Sequence, residues 1–404
     1  ELTALIQTAL QNSMDIKQAL ARFDQAQAVT RGSRAGLFPA IRLEANTAAA
    51  WEEGQSQEGI SRVGAALTWE IDAFDRLGAA VTAREFEERA AAADVEAVRL
   101  TLSAEVAQAW FGAVAQQLQI ALLRQQTDGD NELLDLIKKR LDAGIGTNVE
   151  VLQQQSQLAE NQSLIPPAEA ALRVFENRLD VLTGTTPDAV NRTSSDTSYV
   201  EISTLPPLGV PSDLLLNRPD IRAMRDRLIA ADAQIGTAIA DRLPRITLTG
   251  SHIYADGPTG AAGYATSLLA GLVQPLLDWG RRQAEVERNQ ALYEERLGAF
   301  TQLYLEAIED VENALYQENR QREYIDRLET RRNILSQTLA AAQAVYRQGE
   351  SDYLPVLDSV QDLRGVERDL INQRLNLILF RIQLFRALGT PVFTPVESPQ
   401  EEPL

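Results

Sequence analysis

"YRQGESDYLPVLDSVQDL", residues 346–363, decides the fold of this chain, because a closely related pattern occurs much earlier in it. "LDAGIGTNVEVLQQQSQL", residues 141–158, also places a glycine turn between two helical patterns, and Gly349 stands 205 residues after Gly144. A turn that is written twice at a fixed interval indicates an internal repeat, which has to be recognised before any element is assigned.

Four further pairs of landmarks share the same offset of 205 residues. They are Asp15 and Asp220, Pro39 and Pro244, Arg76 and Arg281, and Gly184 and Gly389. Five pairs in order, with no net insertion, predict a tandem duplication. We assign a first repeat to residues 1–184, a polar, proline-rich connector to 185–218, a second repeat to 219–389 and a flexible tail to 390–404.

Each repeat is predicted to contain a helix, a pair of strands, a very long helix and a return helix, in that order. The first repeat has the helix at 2–33, strands at about 39–51 and 62–72, the long helix at about 76–143 and the return helix at about 147–182. The second has the helix at 219–240, strands at about 244–254 and 264–276, the long helix at about 281–348 and the return helix at about 353–388.

Glycine and proline mark the ends and the weak points of these helices. Gly144, Gly146 and Gly349 are interpreted as turn glycines at the tips of two helical hairpins. Pro166-Pro167 is expected to kink or break the first return helix, and residues 128–130, Asp-Gly-Asp, are expected to bend the first long helix.

The predicted strands alternate between apolar and polar residues, and the long helices are far longer than those of compact proteins. Ile41 and Leu43 alternate with Arg42 and Glu44, as in a wall with one face to lipid and one to water. A sheet in lipid must close on itself, and closure takes about eight strands, so four strands require several copies of the chain. A trimer would supply twelve strands. A helix of nearly 70 residues would be roughly 100 Å long.

Composition excludes several classes of function. The chain of 404 residues carries a formal net charge of −19, which disfavours binding to nucleic acid. It has no cysteine and one histidine, His252, so we expect no metal site, no cofactor and no catalytic residues. The chain opens on an amphipathic, acidic helical pattern, so an exported protein would be a processed form.

The duplicated plan resembles the TolC-type outer-membrane efflux channels, and within them the OprM branch that serves tripartite drug pumps of the RND type. The resemblance covers residues 1 to about 390. It rests on "LNRPDIRAMRDRLIAADAQIGTAIADRLPRITLTGS" (216–251), "LDWGRR" (277–282) and "YRQGESDYLPVLD" (346–358).

The resemblance implies an α+β membrane protein that conducts drugs or other small toxic compounds passively out of the cell. A homotrimer would form a 12-stranded barrel in the outer membrane of a Gram-negative bacterium, continuous with a periplasmic α-helical barrel. The connector would lie in an equatorial belt. A periplasmic adaptor protein and an inner-membrane RND-type pump would dock at the helix tips, where an iris-like gate closes the duct. Relatives of the OprM branch often begin at a lipidated cysteine and an N-terminal arm, so we expect that such an arm was trimmed here or that the anchor differs.

The resemblance also places candidate gate residues. Tyr346 matches a tyrosine that follows the second long helix, Asp358 matches an aspartate twelve residues later, and Glu150 matches an acidic residue of the first return helix. Hydrogen-bond acceptors near a constriction can tie neighbouring helices, and an acidic ring selects passing ions. The alternative is a purely structural role, in which these residues are solvated or packed at the helix ends.

Two positions depart from the family pattern. Some relatives have a second aspartate where this chain has Pro355, and some have an arginine where it has Ser351. Asp352 is a candidate substitute. We therefore expect fewer polar contacts to hold this gate closed than in those relatives.

Three tryptophans lie at the predicted strand ends. Trp51, Trp69 and Trp279 are interpreted as membrane-interface aromatics in contact with outer-membrane lipid, with local packing at the strand ends as the alternative. His252 falls in strand phase and is interpreted as structural.

The main alternatives to a drug-efflux duct are the outer-membrane component of a type I protein secretion system or of a metal efflux system. A periplasmic coiled-coil adaptor and a soluble coiled-coil scaffold are disfavoured by the alternating strands. An enzyme is the least favoured class, because one histidine and no cysteine leave only carboxylate chemistry.

Overall fold

The computed structural model describes residues 1–50, 58–188, 190, 192–193, 216–256 and 262–390. In this part the elements follow one another as α1 (Leu2–Asn12), α2 (Met14–Ala35), β1 (Ala40–Ala50), β2 (Glu58–Ile71), α3 (Arg76–Asp142), α4 (Asn148–Leu182), α5 (Pro219–Ala240), β3 (Arg245–Asp256), β4 (Gly263–Val273), α6 (Arg281–Gln348) and α7 (Leu354–Ala387).

The predicted first helix is two helices, because Ser13 interrupts it. Ser13 has the extended angles φ −55° and ψ 136°, and its hydroxyl accepts a hydrogen bond from the backbone N–H of Asp15 at 3.2 Å. Serine readily satisfies the free N–H groups of a helix start in this way. The expectation of one continuous helix was therefore wrong at this position.

The return helix α4 runs through Pro166 and Pro167 as one helix, so of the expected kink or break, the break does not occur. Each proline lacks the N–H that would bond the carbonyl four residues earlier. Those carbonyls belong to Gln162 and Ser163, which are exposed, so water can satisfy them. The helix tolerates the prolines because the two carbonyls that lose their N–H partners lie on its solvent-exposed face.

The second strand pair ends earlier than predicted. β4 stops at Val273 rather than near residue 276, two residues before Pro275. Proline has no N–H to give to a sheet ladder, which explains the earlier end.

The chain divides into two compact units, and neither unit is one of the sequence repeats. The first comprises residues 1–17, 97–218 and 305–404, and the second comprises 18–96 and 219–304. Each unit draws on both repeats, so the duplicated segments pack as partners rather than as independent domains.

The second unit contains an antiparallel sheet of four strands in the order β1-β2-β3-β4. The register sets Ile41, Leu67, Gly250 and Leu268 in one row across the strands. The adjacent row, Arg42, Ala66, Ser251 and Ser267, faces the other way. One face of the sheet is thus rich in apolar residues, whereas the other carries an Arg42–Glu44 ion pair at 2.8 Å and a Ser251–Ser267 hydrogen bond at 2.8 Å.

The first unit contains α1, α4, α7, the later parts of α3 and α6, and most of the buried apolar residues. Its largest cluster gathers residues of α1, α3, α4 and α7, among them Ile6, Val106, Trp110, Leu179 and Ile382. A second cluster lies where α3 meets α4 and α6 meets α7. That second cluster surrounds the sequence motif from which the repeat was recognised.

Candidate functional site

Each hairpin turn of the first unit begins with a glycine in the left-handed region. Gly144 has φ +76° and Gly349 has φ +79°. In the first turn the N–H of Gly144 bonds the carbonyl of Leu141, and the N–H of Ile145 bonds that of Arg140. The second turn repeats both bonds around Gly349. This is the Schellman arrangement, which satisfies the last carbonyls of a helix and reverses the chain.

Gly146 meets a different constraint. A Cβ atom added there would lie 3.0 Å from the backbone nitrogen of Leu141, so the close approach of two backbone segments favours glycine at this position. Thr147 then caps α4, because its hydroxyl accepts a hydrogen bond from the N–H of Glu150 at 3.3 Å.

An apolar cluster fills the space between the two hairpins at the tips, by which we mean the turns around Gly144 and Gly349 with the adjoining helix ends. All four long helices of the first unit contribute to it: Leu134, Ile137, Val151, Tyr346, Tyr353, Val356, Leu357 and Val360. The two tyrosine rings lie 5.6 Å apart between centroids. Burial of these side chains holds the ends of the two hairpins together.

Tyr346 and Glu150 meet across the two hairpins. The Tyr346 hydroxyl donates to Glu150 Oε2 at 2.9 Å, and the Arg140 guanidinium lies 4.5 Å above the tyrosine ring. Tyr346 is only 2% exposed. Burial, followed by the hydrogen bond to Glu150, raises the pKa of Tyr346 to about 12, so the hydroxyl remains a donor at every physiological pH.

A buried polar network lies next to this contact and was missed by the sequence analysis. Asp130 of α3 is 0% exposed. Its carboxylate accepts hydrogen bonds from Gln154 at 2.9 Å, from Asn161 at 2.5 Å and from Arg364 at 2.8 Å. The Tyr353 hydroxyl donates to Gln154 Oε1, and burial raises the pKa of Tyr353. Side chains of α4 and α7 therefore converge on one carboxylate of α3, and Tyr353 joins the network through Gln154.

The sequence shows Asp130 at an unusual position but does not reveal its partners. It stands in the middle of a long helical pattern, directly after Gly129, and we interpreted that triplet only as a bend. α3 continues through it as one helix. An acidic residue on the apolar side of a helix is rarely buried without a partner, but the partner Arg364 is 234 residues away.

The two other candidate gate residues lie apart from this network. Asp358 and Asp352 are exposed. Within the described residues, neither carboxylate takes part in a hydrogen bond with Tyr346 or Glu150. At the two divergent positions, the Pro355 carbonyl accepts a hydrogen bond from Ser359 at 2.7 Å, and the Ser351 hydroxyl donates to the backbone of Asp352 at 3.1 Å.

The aromatic candidates of the second unit differ among themselves. The Trp69 indole N–H donates to the carbonyl of Leu37 at 3.0 Å, so its polar atom is satisfied locally. Trp279 is 91% exposed and has the left-handed φ of 56°. Trp51 lies outside the described residues.

A group of aromatic residues on β3 and β4 was also missed by the sequence analysis. His252 stacks on Tyr264 at 5.4 Å between ring centroids, and Tyr254 lies 5.1 Å from Tyr264. His252 also shares a hydrogen bond with Thr266 at 2.8 Å. All four side chains lie on the apolar face of the sheet, near the ends of the strands that lead into residues 257–261.

Two negative findings apply to the described residues only. They contain no cluster of His, Cys, Asp and Glu side chains that could hold a metal ion. Among the helices of these residues, none combines the length and the apolar character needed to cross a membrane.

Comparison with known proteins agrees with this architecture. The model of the outer membrane efflux protein family matches residues 5–185 and again residues 210–390, two stretches that are offset by 205 residues. The chain is 29% identical over 416 residues to the probable efflux pump outer membrane protein SepC of Pseudomonas putida, covering 95% of this chain and 82% of that protein.

A second relative and a solved structure give the same result. The pyoverdine export outer membrane protein OpmQ of Pseudomonas aeruginosa is 30% identical over 419 residues, which cover 96% of this chain and 85% of the relative. The structure of the outer-membrane channel OprN superposes with a TM-score of 0.88 at 25% identity, covering 96% of this chain and 89% of that one. The chain belongs to the outer membrane efflux protein family, whose members of known structure are TolC-like channels, and it is an efflux protein of the outer membrane.

Proposed function

We propose that three copies of this chain form the exit duct of a tripartite efflux pump and that the hairpin tips close its periplasmic end. The Tyr346–Glu150 hydrogen bond carries the proposal. It joins the end of α6 to the start of α4, so it ties the second hairpin to the first where a channel would be narrowest.

The sheet supports the trimer. β1 and β4 are the edges of a four-stranded antiparallel sheet, and the backbone groups of an edge strand need a partner when the sheet lies in lipid. If β4 of one copy pairs with β1 of the next, three copies give twelve strands in a closed barrel. The apolar face then turns to lipid and the face with the Arg42–Glu44 pair lines the water-filled interior.

The exposed carboxylates supply the second part of the gate. In a trimer, Asp358 and Asp352 would each occur three times around one axis, and a ring of carboxylates favours cations and repels anions. We assign Tyr346 and Glu150 to the tie within one chain, and Asp358 and Asp352 to the charged ring between chains. Gly144, Gly146 and Gly349 shape the tips at which an adaptor protein and an RND-type inner-membrane pump would dock.

The cargo is proposed to be small organic compounds. The names of relatives mention toluene, solvents and pyoverdine, all of which are small organic molecules. The duct conducts them passively, so the chain needs no cofactor and performs no catalysis.

The aromatic residues are proposed to seat the sheet in the membrane. Trp279 is exposed at the strand-to-helix junction, Trp69 lies near the same end of the sheet, and Trp51 follows β1. Tyrosine and tryptophan favour the boundary between lipid and water. His252, Tyr254 and Tyr264 give the sheet a second aromatic group toward its opposite end.

Mass measurement in detergent and single-channel recording in planar bilayers test the proposal. We expect a stable trimer with a low closed-state conductance. Tyr346→Phe should raise that conductance, because it removes the tie to Glu150, and Asp358→Ala should lower the preference for cations. Asp326→Ala, which removes an exposed carboxylate of α6 away from the tips, is the matched control and should behave as the wild type. A protein that is monomeric and never conducts would refute the duct.

A further inference from the structure

Polar contacts join the two hairpins along one seam. We define the seam as the facing sides of α4 and α7, with the end of α6, the residue before α7 and the nearby turn of α3. The α4 residues in the seam recur at intervals of three or four, so they share one helix face. They are Glu150, Gln154, Gln157 and Asn161. Their partners from the tip inward are Tyr346, Tyr353, Gln361 and, through Asp130, Arg364.

The contacts at the two ends of the seam differ in strength. At the tip, Glu150 is half-buried and its side chain accepts one hydrogen bond, from the Tyr346 hydroxyl, so water can replace this contact when it opens. Farther in, Asp130 is fully buried and accepts from three side chains, one of them the Arg364 guanidinium. Parting a buried ion pair leaves uncompensated charge away from water, which is strongly unfavourable. Separating the hairpins at the tip therefore costs less free energy than separating Asp130 from Arg364.

A second layer of contacts holds Arg364 from the other side. The guanidinium also donates to the backbone carbonyl of Gln126 at 3.1 Å. The Gln126 side chain in turn donates to Glu367 at 2.9 Å and accepts from Arg368 at 3.3 Å. Two successive turns of α3 are thus fixed to two successive turns of α7, away from the tip.

An open groove lies beside these contacts. A groove of about 670 Å³ borders them, and small residues on its walls, Pro167, Ala168 and Gly365, leave space between α4 and α7. A joint that combines strong polar contacts with empty space can rotate without separating.

We propose that Asp130 and Arg364 form the pivot of the gate, a fixed point about which the tip of the second hairpin swings away from the first. The proposal rests on the proposed gate at the tips. Opening breaks the Tyr346–Glu150 and Tyr353–Gln154 hydrogen bonds and preserves the Asp130–Arg364 pair. Motion between the hairpins of one chain is confined to the part beyond the pivot, about four helical turns or roughly 20 Å from Asp130 to the turn at Gly144.

The absence of cysteine from the chain allows a site-specific test. A tip tether uses Glu150→Cys with Tyr346→Cys, joined by a short bismaleimide. A pivot tether uses Gln126→Cys with Arg368→Cys, built in a Tyr346→Phe background so that the tip is already free. Single-channel conductance is recorded for each trimer before and after cross-linking.

We expect the tip variant to show raised conductance before cross-linking and to return to the wild-type closed level after it. The pivot variant should keep its raised conductance after cross-linking, because that part of the seam does not move. Suppression of conductance by the pivot tether to the same degree as by the tip tether would overturn the pivot. If instead no variant differs from the wild type before cross-linking, the gate of the proposed function fails, and the two failures are thereby distinguished.

Asp130→Asn combined with Tyr346→Phe provides an independent measurement. Loss of the pivot lets the hairpins part farther, so the double variant should conduct several-fold more than Tyr346→Phe alone. Equal conductance of the two would contradict the pivot. Asp326→Ala with Tyr346→Phe is the matched control for the loss of a carboxylate.

Discussion

The two repeats share a backbone plan but bury different charges, as the pair Glu318 and Arg381 shows. Glu318 is 0% exposed and accepts hydrogen bonds from Arg381 at 2.6 and 2.8 Å. At an offset of 205 residues, the first repeat has Ala113 in place of Glu318 and Glu176 in place of Arg381. Duplication thus preserved the fold without preserving the electrostatics.

This difference shifts the pKa values of the two buried carboxylates, Glu318 and Glu176, in opposite directions. Burial alone would raise the pKa of Glu318, but hydrogen bonds from Arg381 and Arg322 outweigh it and hold the pKa below its usual value. Glu176 is 1% exposed, and both of its carboxylate oxygens lack a hydrogen-bond partner among the described residues. Burial raises the pKa of Glu176, and Arg173, 3.1 Å away, opposes the shift only in part.

The largest effect is expected from breaking the pair in the second repeat. Arg381→Met leaves Glu318 buried with Arg322 as its remaining arginine partner, and should lower the free energy of unfolding by about 3–5 kcal/mol. Denaturant unfolding of the protein in detergent, followed by circular dichroism, measures the change. Arg374→Met changes another arginine of α7 and breaks its exposed pair with Glu329 of α6; it is the control and should cost about 1 kcal/mol or less. Equal losses for the two variants would mean that burial does not distinguish them.

Removing the Glu176 carboxylate of the first repeat, which forms an ion pair with Arg173 but no hydrogen bond within the described residues, should increase stability. Glu176→Gln abolishes a buried charge that has no hydrogen-bond donor, so we expect it to raise the free energy of unfolding at neutral pH by about 1–2 kcal/mol. Because the folded-state pKa of Glu176 is raised, its charged form opposes folding above the unfolded-state pKa. This penalty shrinks as the pH falls through the folded pKa.

The gain from Glu176→Gln should therefore diminish as the pH is lowered from 8 toward 5. Unfolding of the wild type and the variant across that range checks the sign. A variant that is less stable than the wild type at pH 8 would show that the carboxylate has a stabilising partner.

Two glycines that follow helix ends have similar backbone angles, but substitution by alanine should cost different amounts of stability at the two positions. Gly184 and Gly349 both have positive φ, 77° and 79°. A Cβ on Gly184 would lie 2.7 Å from the carbonyl oxygen of Asn12, whereas one on Gly349 would meet open space. We expect Gly349→Ala to cost about 1 kcal/mol from backbone strain alone.

Gly184→Ala should cost about 2 kcal/mol, since a steric clash with backbone adds to the strain. The difference between the two free energies of unfolding isolates the clash. Equal costs would show that Asn12 moves aside freely.

Periodicity and turn chemistry were sufficient to predict most of the architecture. Apolar spacing indicated the long helices, alternation indicated the strands, and the glycines at 144 and 349 indicated the turns. These signals are local, because each depends on residues a few positions apart. The interruption at Ser13 was missed because it depends on a side-chain cap. The break expected at Pro166-Pro167 does not occur, since the residues whose carbonyls lose their partners are exposed to solvent.

The polar part of the candidate site was predictable only where the family resemblance reached. Tyr346 and Glu150 were proposed as gate residues, and the structure brings them into contact, but their role stays a prediction. Asp130, Gln154 and Arg364 were missed since their importance arises from burial and from partners on other helices. Sequence spacing does not report either property for residues more than 200 positions apart.

The smallest expected effect concerns the tip, where the repeats differ once more. Pro355 of the second repeat occupies the position that corresponds to Glu150 of the first. Only the first repeat therefore supplies a carboxylate at this position, and it accepts the hydrogen bond from Tyr346. Because the folded-state pKa of Tyr346 is raised to about 12, against about 10 for an unperturbed tyrosine, its contribution to stability is fully present below pH 10. That contribution is lost as the pH rises through 12.

Tyr346→Phe removes both the hydrogen bond and the titration. At pH 8 the variant should be about 0.5–1.5 kcal/mol less stable than the wild type, and the gap should narrow between pH 10 and 12, where only the wild type loses the stabilising contact. Tyr353→Phe, whose hydroxyl bonds Gln154 in a more buried setting, is the matched comparison. A gap for Tyr346→Phe that stays constant from pH 8 to 12 would mean that ring packing, rather than the hydroxyl on Glu150, holds the tip.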